Sequence, residues 1–302
     1  MKKMLIACGL VLLGLQNVSA QNEDTWIPQQ LGIGVGVGTT GITIDASTTL
    51  NRWLGVRAGV NIFPKFKLST DLDLGTERDG GNVADLSGIA HDINNAAGST
   101  IIDIPNGGFP ETIDVEGKLS NTTFHFLVDV YPFKTSSFRA TVGFYIGGKE
   151  LISVYNKQDG ILKSVTQWNE IVADPTVLPE SARPYAKNRD MIGAELGDYF
   201  ITPDQSGNLK ATIEVAAFRP YIGIGFGHAV PRKSRVGCQF DLGVQMWGTP
   251  KVYVPIYDRE TGRYSREALE ADRSGEGGDA IKLLSNFSVY PTMTLRLVGR
   301  IF

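Results

Sequence analysis

Eight stretches of this chain alternate apolar with polar or small residues at a period of two, and this alternation constrains the fold more than any other feature. At 31–37, Leu31, Ile33, Val35 and Val37 stand against glycines. At 42–50, Ile42, Ile44 and Ala46 stand against Thr43, Asp45 and Ser47. At 53–63, Leu54, Val56, Ala58, Val60 and Ile62 oppose Gly55, Arg57, Gly59 and Asn61. The stretches 122–133, 138–148, 221–228 and 236–247 follow the same rule, placing His125, Asp129, Arg139, Gln239, Asp241 and Gln245 on the polar face. The chain closes on YPTMTLRLVGRIF, 290–302, where Met293, Leu295, Leu297 and Ile301 oppose Thr294, Arg296 and Arg300.

The composition of the polar face decides what the alternation means. A soluble sandwich also alternates, but its polar face meets water and should carry many Lys and Glu. These polar positions hold Gly, Thr, Asn, Gln, Asp and Arg, with neither Lys nor Glu among them. Such a face suits the interior of a narrow barrel, and the unbroken apolar face suits lipid. Strands of this length and pattern are the signature of a transmembrane β-barrel, which spans a bilayer without leaving unpaired backbone in hydrocarbon.

The connections support the same fold. They run 39–41, 51–52, 64–121, 134–137, 149–220, 229–235 and 248–289. With a periplasmic N-terminus, the three connections on the periplasmic side are short and three of those outside are long, the asymmetry such barrels show. Trp53, Tyr131, Phe133 and Phe138 cluster at the periplasmic end, as an aromatic girdle should.

The N-terminus has Lys2 and Lys3, an apolar run from Met4 to Leu15, and VSA ending at Ala20. This is the layout of a secretory signal peptide, so 1–20 is expected to be removed and 21–302 to form the barrel domain. The 29 basic and 32 acidic residues then become 27 and 32, a charge of −5, which gives no basic surplus for nucleic acid. Cys238 is the one cysteine left, so no internal disulfide forms.

Several blocks, GTTGITIDASTTLNRWLGVRAGVNIF, DVYPF, FRPYIGIGFG and FDLGVQMWGTPKV with the closing strand, resemble a group of small Gram-negative outer-membrane β-barrel proteins of undefined function. The resemblance covers most of 35–63, 119–147 and 217–302, and implies fold and location rather than an activity. The sequence departs from it at the end. Such barrels close on an aromatic in register with the lipid-facing residues, whereas Ile301 holds that slot here and Phe302 is one position out.

Parity places Asp45, Arg57, Asn61, His125, Asp129, Arg139, Gln239, Asp241, Gln245, Arg296 and Arg300 in the lumen. An eight-stranded barrel is filled by its own side chains, so these charges must pair. The reading is an ion-pair plug, with a narrow solute path as the alternative. A lipid-modifying barrel enzyme is the third class. Its Ser, His and acid groups are not found together at the outer rim: His91 falls in a loop, His125 in the lumen and His228 at a periplasmic turn. No catalytic residue, cofactor or metal is assigned. DLDLGTERDGG (71–81) imitates a calcium loop but lacks the third acidic position and the closing Glu.

The long connections carry local signals of their own. SREALEADR (265–273) reads as a short helix, YNKQDGILKSV (155–165) as a hairpin, and LKATIEVAAF (209–218) as an extension of strand six. The fold expected is therefore all-β: an eight-stranded antiparallel transmembrane β-barrel with three long extracellular loops. Its expected role is non-enzymatic, structural or surface-binding through those loops. The expected partners are outer-membrane lipid, lipopolysaccharide and the outer-membrane assembly machinery, with the chain a monomer.

Overall fold

A computed structural model describes residues 30–78, 82–133, 135–196, 199–232, 234–259, 261–269 and 288–301. Eight strands close into an antiparallel barrel: β1 (Gln30–Gly38), β2 (Gly41–Thr49), β3 (Leu54–Ile62), β6 (Thr122–Val130), β7 (Phe138–Gly147), β12 (Phe218–Phe226), β13 (Val236–Met246) and β16 (Val289–Arg300). They are the eight alternating stretches. Neighbours in sequence pair as neighbours in the wall, and β16 closes on β1 with Val35 opposite Leu297. The β1–β2 turn fits because Gly41 adopts φ +94°, and a side chain there would strike the Ile62 carbonyl.

The apolar face of every barrel strand points outward. Ile33, Val35, Ile44, Phe124, Val142, Ile222, Leu242, Met293, Leu295 and Leu297 are all exposed. An exposed apolar surface of this extent marks an interaction with membrane or protein, and it girdles the barrel. No helix among the described residues is long and apolar enough to cross a membrane.

Over their described residues the long connections are largely structured. They fold into a second eight-stranded sheet in the order β10 (Tyr199–Ile201), β9 (Ile192–Leu196), β4 (Phe66–Thr76), β5 (Thr112–Leu119), β8 (Glu150–Asn156), β11 (Lys210–Glu214), β14 (Lys251–Asp258) and β15 (Arg263–Ala268). Five of these strands prolong barrel strands in the same order. Ile62 faces Thr122 in the barrel, and just beyond it Phe66 faces Leu119. Thr123 faces Gly147, and then Leu119 faces Ile152. Phe218 faces Ile146, and then Ile213 faces Ile152. The barrel wall thus continues past its rim as a ladder interrupted by short breaks.

Among the described residues three α-helices complete this layer: α1 (Val83–Ala97), α2 (Lys163–Ala173) and α3 (Arg183–Ala186). Asn82 caps α1 by accepting from the Ala84 N–H at 2.9 Å, and Gly98 ends it in the left-handed conformation. Ile93, Ile102, Leu162, Val165 and Trp168 are buried in a core that also includes Ile113, Val115 and Val254 of the sheet. Asn169 of α2 both donates to and accepts from the backbone of Ile192, each at 2.8 Å, and so ties the helix to β9.

Several local expectations give way to this layer. The stretch 263–268 is a strand, not a helix, because it pairs with β14 residue for residue from Asp258 to Tyr253; residues 270–273 lie outside the described residues. Tyr155 and Asn156 end β8, and the chain turns into α2 rather than forming a hairpin. LKATIEVAAF divides into β11 and the start of β12, with a break at 215–217. His91 lies on α1 rather than in a loop, and Asp71 and Asp73 lie in β4. Phe302 is outside the described residues; Ile301 is half-exposed and donates its N–H to the Leu31 carbonyl at 2.8 Å.

Candidate functional site in the barrel interior

The inward face of each strand carries the polar residues, and the barrel brings them together. Arg57 on β3 contacts Asp129 on β6 at 2.8 Å and Asp241 on β13 at 3.0 Å. Arg139 on β7 reaches the same two carboxylates, Asp241 at 2.7 Å and Asp129 at 3.3 Å. The result is a closed square of two guanidinium groups and two carboxylates. Thr141 adds a hydrogen bond to Asp129 at 2.7 Å. All four charged side chains are buried.

A second pair lies beside the square. Arg296 on β16 binds Asp45 on β2 through both Nε and Nη2. Gln239 bridges the two groups, its Oε1 accepting from Arg296 at 2.8 Å and from Arg139 at 3.3 Å. Gly34 on β1 makes this possible, because a Cβ there would overlap the Arg296 guanidinium. Three carboxylates therefore meet three guanidinium groups, and the set is neutral. A buried carboxylate or guanidinium survives only when paired and hydrogen-bonded in this way.

His125 completes the interior. Its Nδ1 lies 3.0 Å from Asn61 Nδ2, which can only donate, so Nδ1 accepts and Nε2 carries the proton of the neutral ring. That Nε2 is 4.0 Å from Asp45. Asn61 accepts from Thr43 at 2.7 Å. The rings of His125, Tyr145 and Tyr221 follow one another with centroids 5.5 Å apart. Between these groups remains a cavity of about 20 Å³, lined by Thr43, Asn61, His125, Tyr145, Tyr221 and Arg296 among others. That is room for about one water molecule.

Arg300 does not join the network. It reaches the carbonyls of Arg232 at 3.2 Å and Pro231 at 3.5 Å, because the β12–β13 turn lies between it and the lumen. This turn is a cork at the short-connection end. Ala229 and Val230 are fully buried. Tyr131 accepts from the Ala229 N–H at 2.6 Å, and Ser47 donates to the Ala229 carbonyl at 2.7 Å. Tyr131 is thus an inward plug rather than part of the girdle, as its odd position beside Asp129 could have told; Phe133 stays exposed. His228 sits within this turn, its ring 5.1 Å from that of Tyr131.

The opposite end is closed by Arg219, which the sequence reading missed. Its strand begins at Phe218, three residues ahead of the alternating stretch 221–228, and the same parity that turns Tyr221 inward turns Arg219 inward. Fully buried, Arg219 donates to the Ala216 carbonyl at 2.7 Å, the Gly148 carbonyl at 2.7 Å and Asn121 Oδ1 at 2.9 Å. Its guanidinium lies 5.6 Å from the Trp247 ring, which stacks on Tyr290 at 4.3 Å. Asn121, Gly148, Ala216 and Trp247 are the points where barrel strands pass into the second sheet.

Solved structures similar to this chain include CarO and CarO2 of Acinetobacter baumannii. Each is 13% identical over 92% of this chain, covering 99% and 100% of those chains with TM-scores of 0.40 and 0.41. A major outer membrane protein of Thermus thermophilus is 14% identical over 90% of this chain and 98% of its own, with a TM-score of 0.34. No family model matches the chain, and no curated protein sequence matches it. Scores this low do not align sites, so the barrel is read from the chain's own strand pairing.

What the interior can do chemically follows from its contacts. His125 faces Asn61 and Tyr145, His228 faces Tyr131, and each carboxylate is committed to an arginine. Among the described residues, no three His, Cys, Asp or Glu side chains converge as a metal-ligand set does.

Proposed function

We propose that this is a non-enzymatic barrel protein of the Gram-negative outer membrane, closed to solutes, whose wall and helices beyond the rim form an extracellular binding surface. The observation that carries the reading is the filled lumen: a neutral set of ion pairs, a cork at one end, Arg219 at the other, and about 20 Å³ left over. The apolar girdle supports placement in lipid, and lipopolysaccharide and the outer-membrane assembly machinery are the partners such placement entails. The second sheet, with its own core, supports a binding role, since recognition residues collect on segments held by a rigid scaffold. Purified protein in planar bilayers should give no reproducible conductance, and protease treatment of intact cells should cleave within 64–121 or 149–220.

The second reading is a narrow path for small solutes, favoured by the mostly polar residues around the central cavity, where Leu127 is the apolar exception. Discrete openings that change in Arg296→Ala or Asp241→Ala would establish it and overturn the first.

A further inference from the structure

Building on the reading that the second wall stands outside the membrane, we propose that β4 pairs edge to edge with β4 of a second copy of this chain. The upper part of β4, Leu74 to Thr76, is covered by β9. Along Phe66–Asp73 one edge pairs with β5, and among the described residues nothing pairs with the other. An exposed edge is a template for a further strand, and charges along it admit only a partner whose charges match. This one is apolar at Phe66 and Leu68, which are 56% and 78% exposed.

The sequence of the edge selects the occupant. Laid antiparallel on itself about Ser69, the segment KFKLSTDLD (65–73) is complementary. Lys67 then meets Asp71 of the second copy, Phe66 meets Leu72, Leu68 meets Thr70, and Ser69 meets itself. Side chains paired in this way share a face of the sheet, so charge stands by opposite charge, Phe66 by Leu72, and Leu68 by the Thr70 methyl. Two-fold symmetry makes each contact twice.

The neighbouring strand supplies an independent observation. Within one copy Lys67 lies directly opposite Lys118, and Asp71 directly opposite Asp114. Like charges facing across strands are unfavourable. Their hydrogen bond and mutual repulsion hold the Asp71 carboxyl above its usual range. Lys67 leans instead on Glu116 at 2.8 Å, and Lys157 approaches Asp114 at 3.9 Å. A second copy would set the lysine pair of one wall beside the aspartate pair of the other, relieving both.

The pairing also fixes how the copies stand. Because β4 and β5 prolong the β3–β6 ladder, antiparallel pairing sends the two barrels in opposite directions. Ser69 lies seven residues beyond Ile62, so the two rims stand roughly 45 Å apart along the strands. The contact therefore joins copies in apposed membranes, a homotypic bridge between cells.

The test uses the full mature chain with Cys238→Ser. In detergent, Ser69→Cys should give a disulfide dimer on mild oxidation, since residues directly opposite in an antiparallel pair have their Cα atoms within disulfide range. Lys67→Asp and Asp71→Lys should each lower self-association about tenfold, while a mixture of the two should associate again, because each supplies the charge the other lacks. Two vesicle populations carrying Ser69→Cys protein with different tags should cross-link between populations. A monomeric Ser69→Cys protein, a mixture no better than the single variants, or cross-links confined to one vesicle population would overturn the proposal. If the monomeric protein still migrates anomalously before boiling, the membrane-barrel reading stands while the bridge falls.

Discussion

Asp45 is the sharpest place to test whether the lumen is a desolvated ion-pair plug. Among the described residues it is the one carboxylate that Arg296 contacts, and both side chains are about 1% exposed. Asp45→Asn removes the charge with little change of shape. It leaves a guanidinium held by Gln239 and a neutral amide, and breaking one partner of a buried pair costs about 3–5 kcal/mol. With a urea dependence of about 2 kcal/mol per molar, the unfolding midpoint should fall by roughly 2 M. The assay is urea titration in detergent, read by loss of the fast-migrating folded band on unboiled gels. The double variant Asp45→Leu with Arg296→Met should recover most of the loss, since an apolar pair of similar volume replaces a buried ion pair at little cost. If Asp45→Asn unfolds within about 0.5 kcal/mol of the parent, the pair is hydrated and the plug argument fails. If the double variant is no better than the single, the loss came from packing and not from an orphaned charge.

Other consequences are as direct. Cys238 is exposed and lies on the outward, apolar side of β13, opposite Leu297, so if that side meets lipid a water-soluble maleimide should leave it unlabelled in vesicles and label it after boiling in detergent; fast labelling in vesicles would argue against a membrane wall. Trp168→Ala empties the centre of the second layer and should cost about 3–5 kcal/mol there, seen as protease cleavage within 149–220 while the folded barrel band persists. Hydrogen bonds from Lys67 and Tyr155 hold the Glu116 carboxyl below its usual range, a contribution present above the ordinary glutamate pKa and lost as pH falls below about 4. Protonation of Asp71 beside Asp114 works the other way, so the test is the difference: on acidification, proteolysis of the β4–β5 wall should quicken more in the parent than in Glu116→Gln.

The barrel was legible because each strand solves a two-sided problem that sequence records directly. Lipid demands Val35, Leu295 and Leu297 on one side, and a narrow lumen demands glycine or a pairable charge on the other. The same alternation placed Asp45, Arg57, Asp129, Arg139, Asp241 and Arg296 in one interior before any pairing was known. It could not say which carboxylate meets which guanidinium, because strands β3 and β13 sit on opposite sides of the wall and only closure brings Arg57 to Asp241. Arg300 shows the limit of parity: it obeys the alternation, but the cork carbonyls of Pro231 and Arg232 reach it first.

The second layer was hidden for a different physical reason. Apart from β4 its strands run only three to eight residues, and its core is shared with helices, so no run of segments repeats the barrel's long alternation. At the rim the ladder is interrupted, at 63–65, at 120–121, at 148–149 and at 215–217, and each break interrupts the alternation that marks the barrel strands. Those breaks expose backbone carbonyls, and a buried carbonyl needs a donor. Arg219 supplies donors to two of them and to the Asn121 side chain at once. A residue that looks like the polar flank of a strand thus bridges three of the junctions, β6–β5, β7–β8 and β12–β11, and lies over Trp247 at a fourth, because without a fixed, multi-pronged donor they would have to open to water to satisfy the same groups.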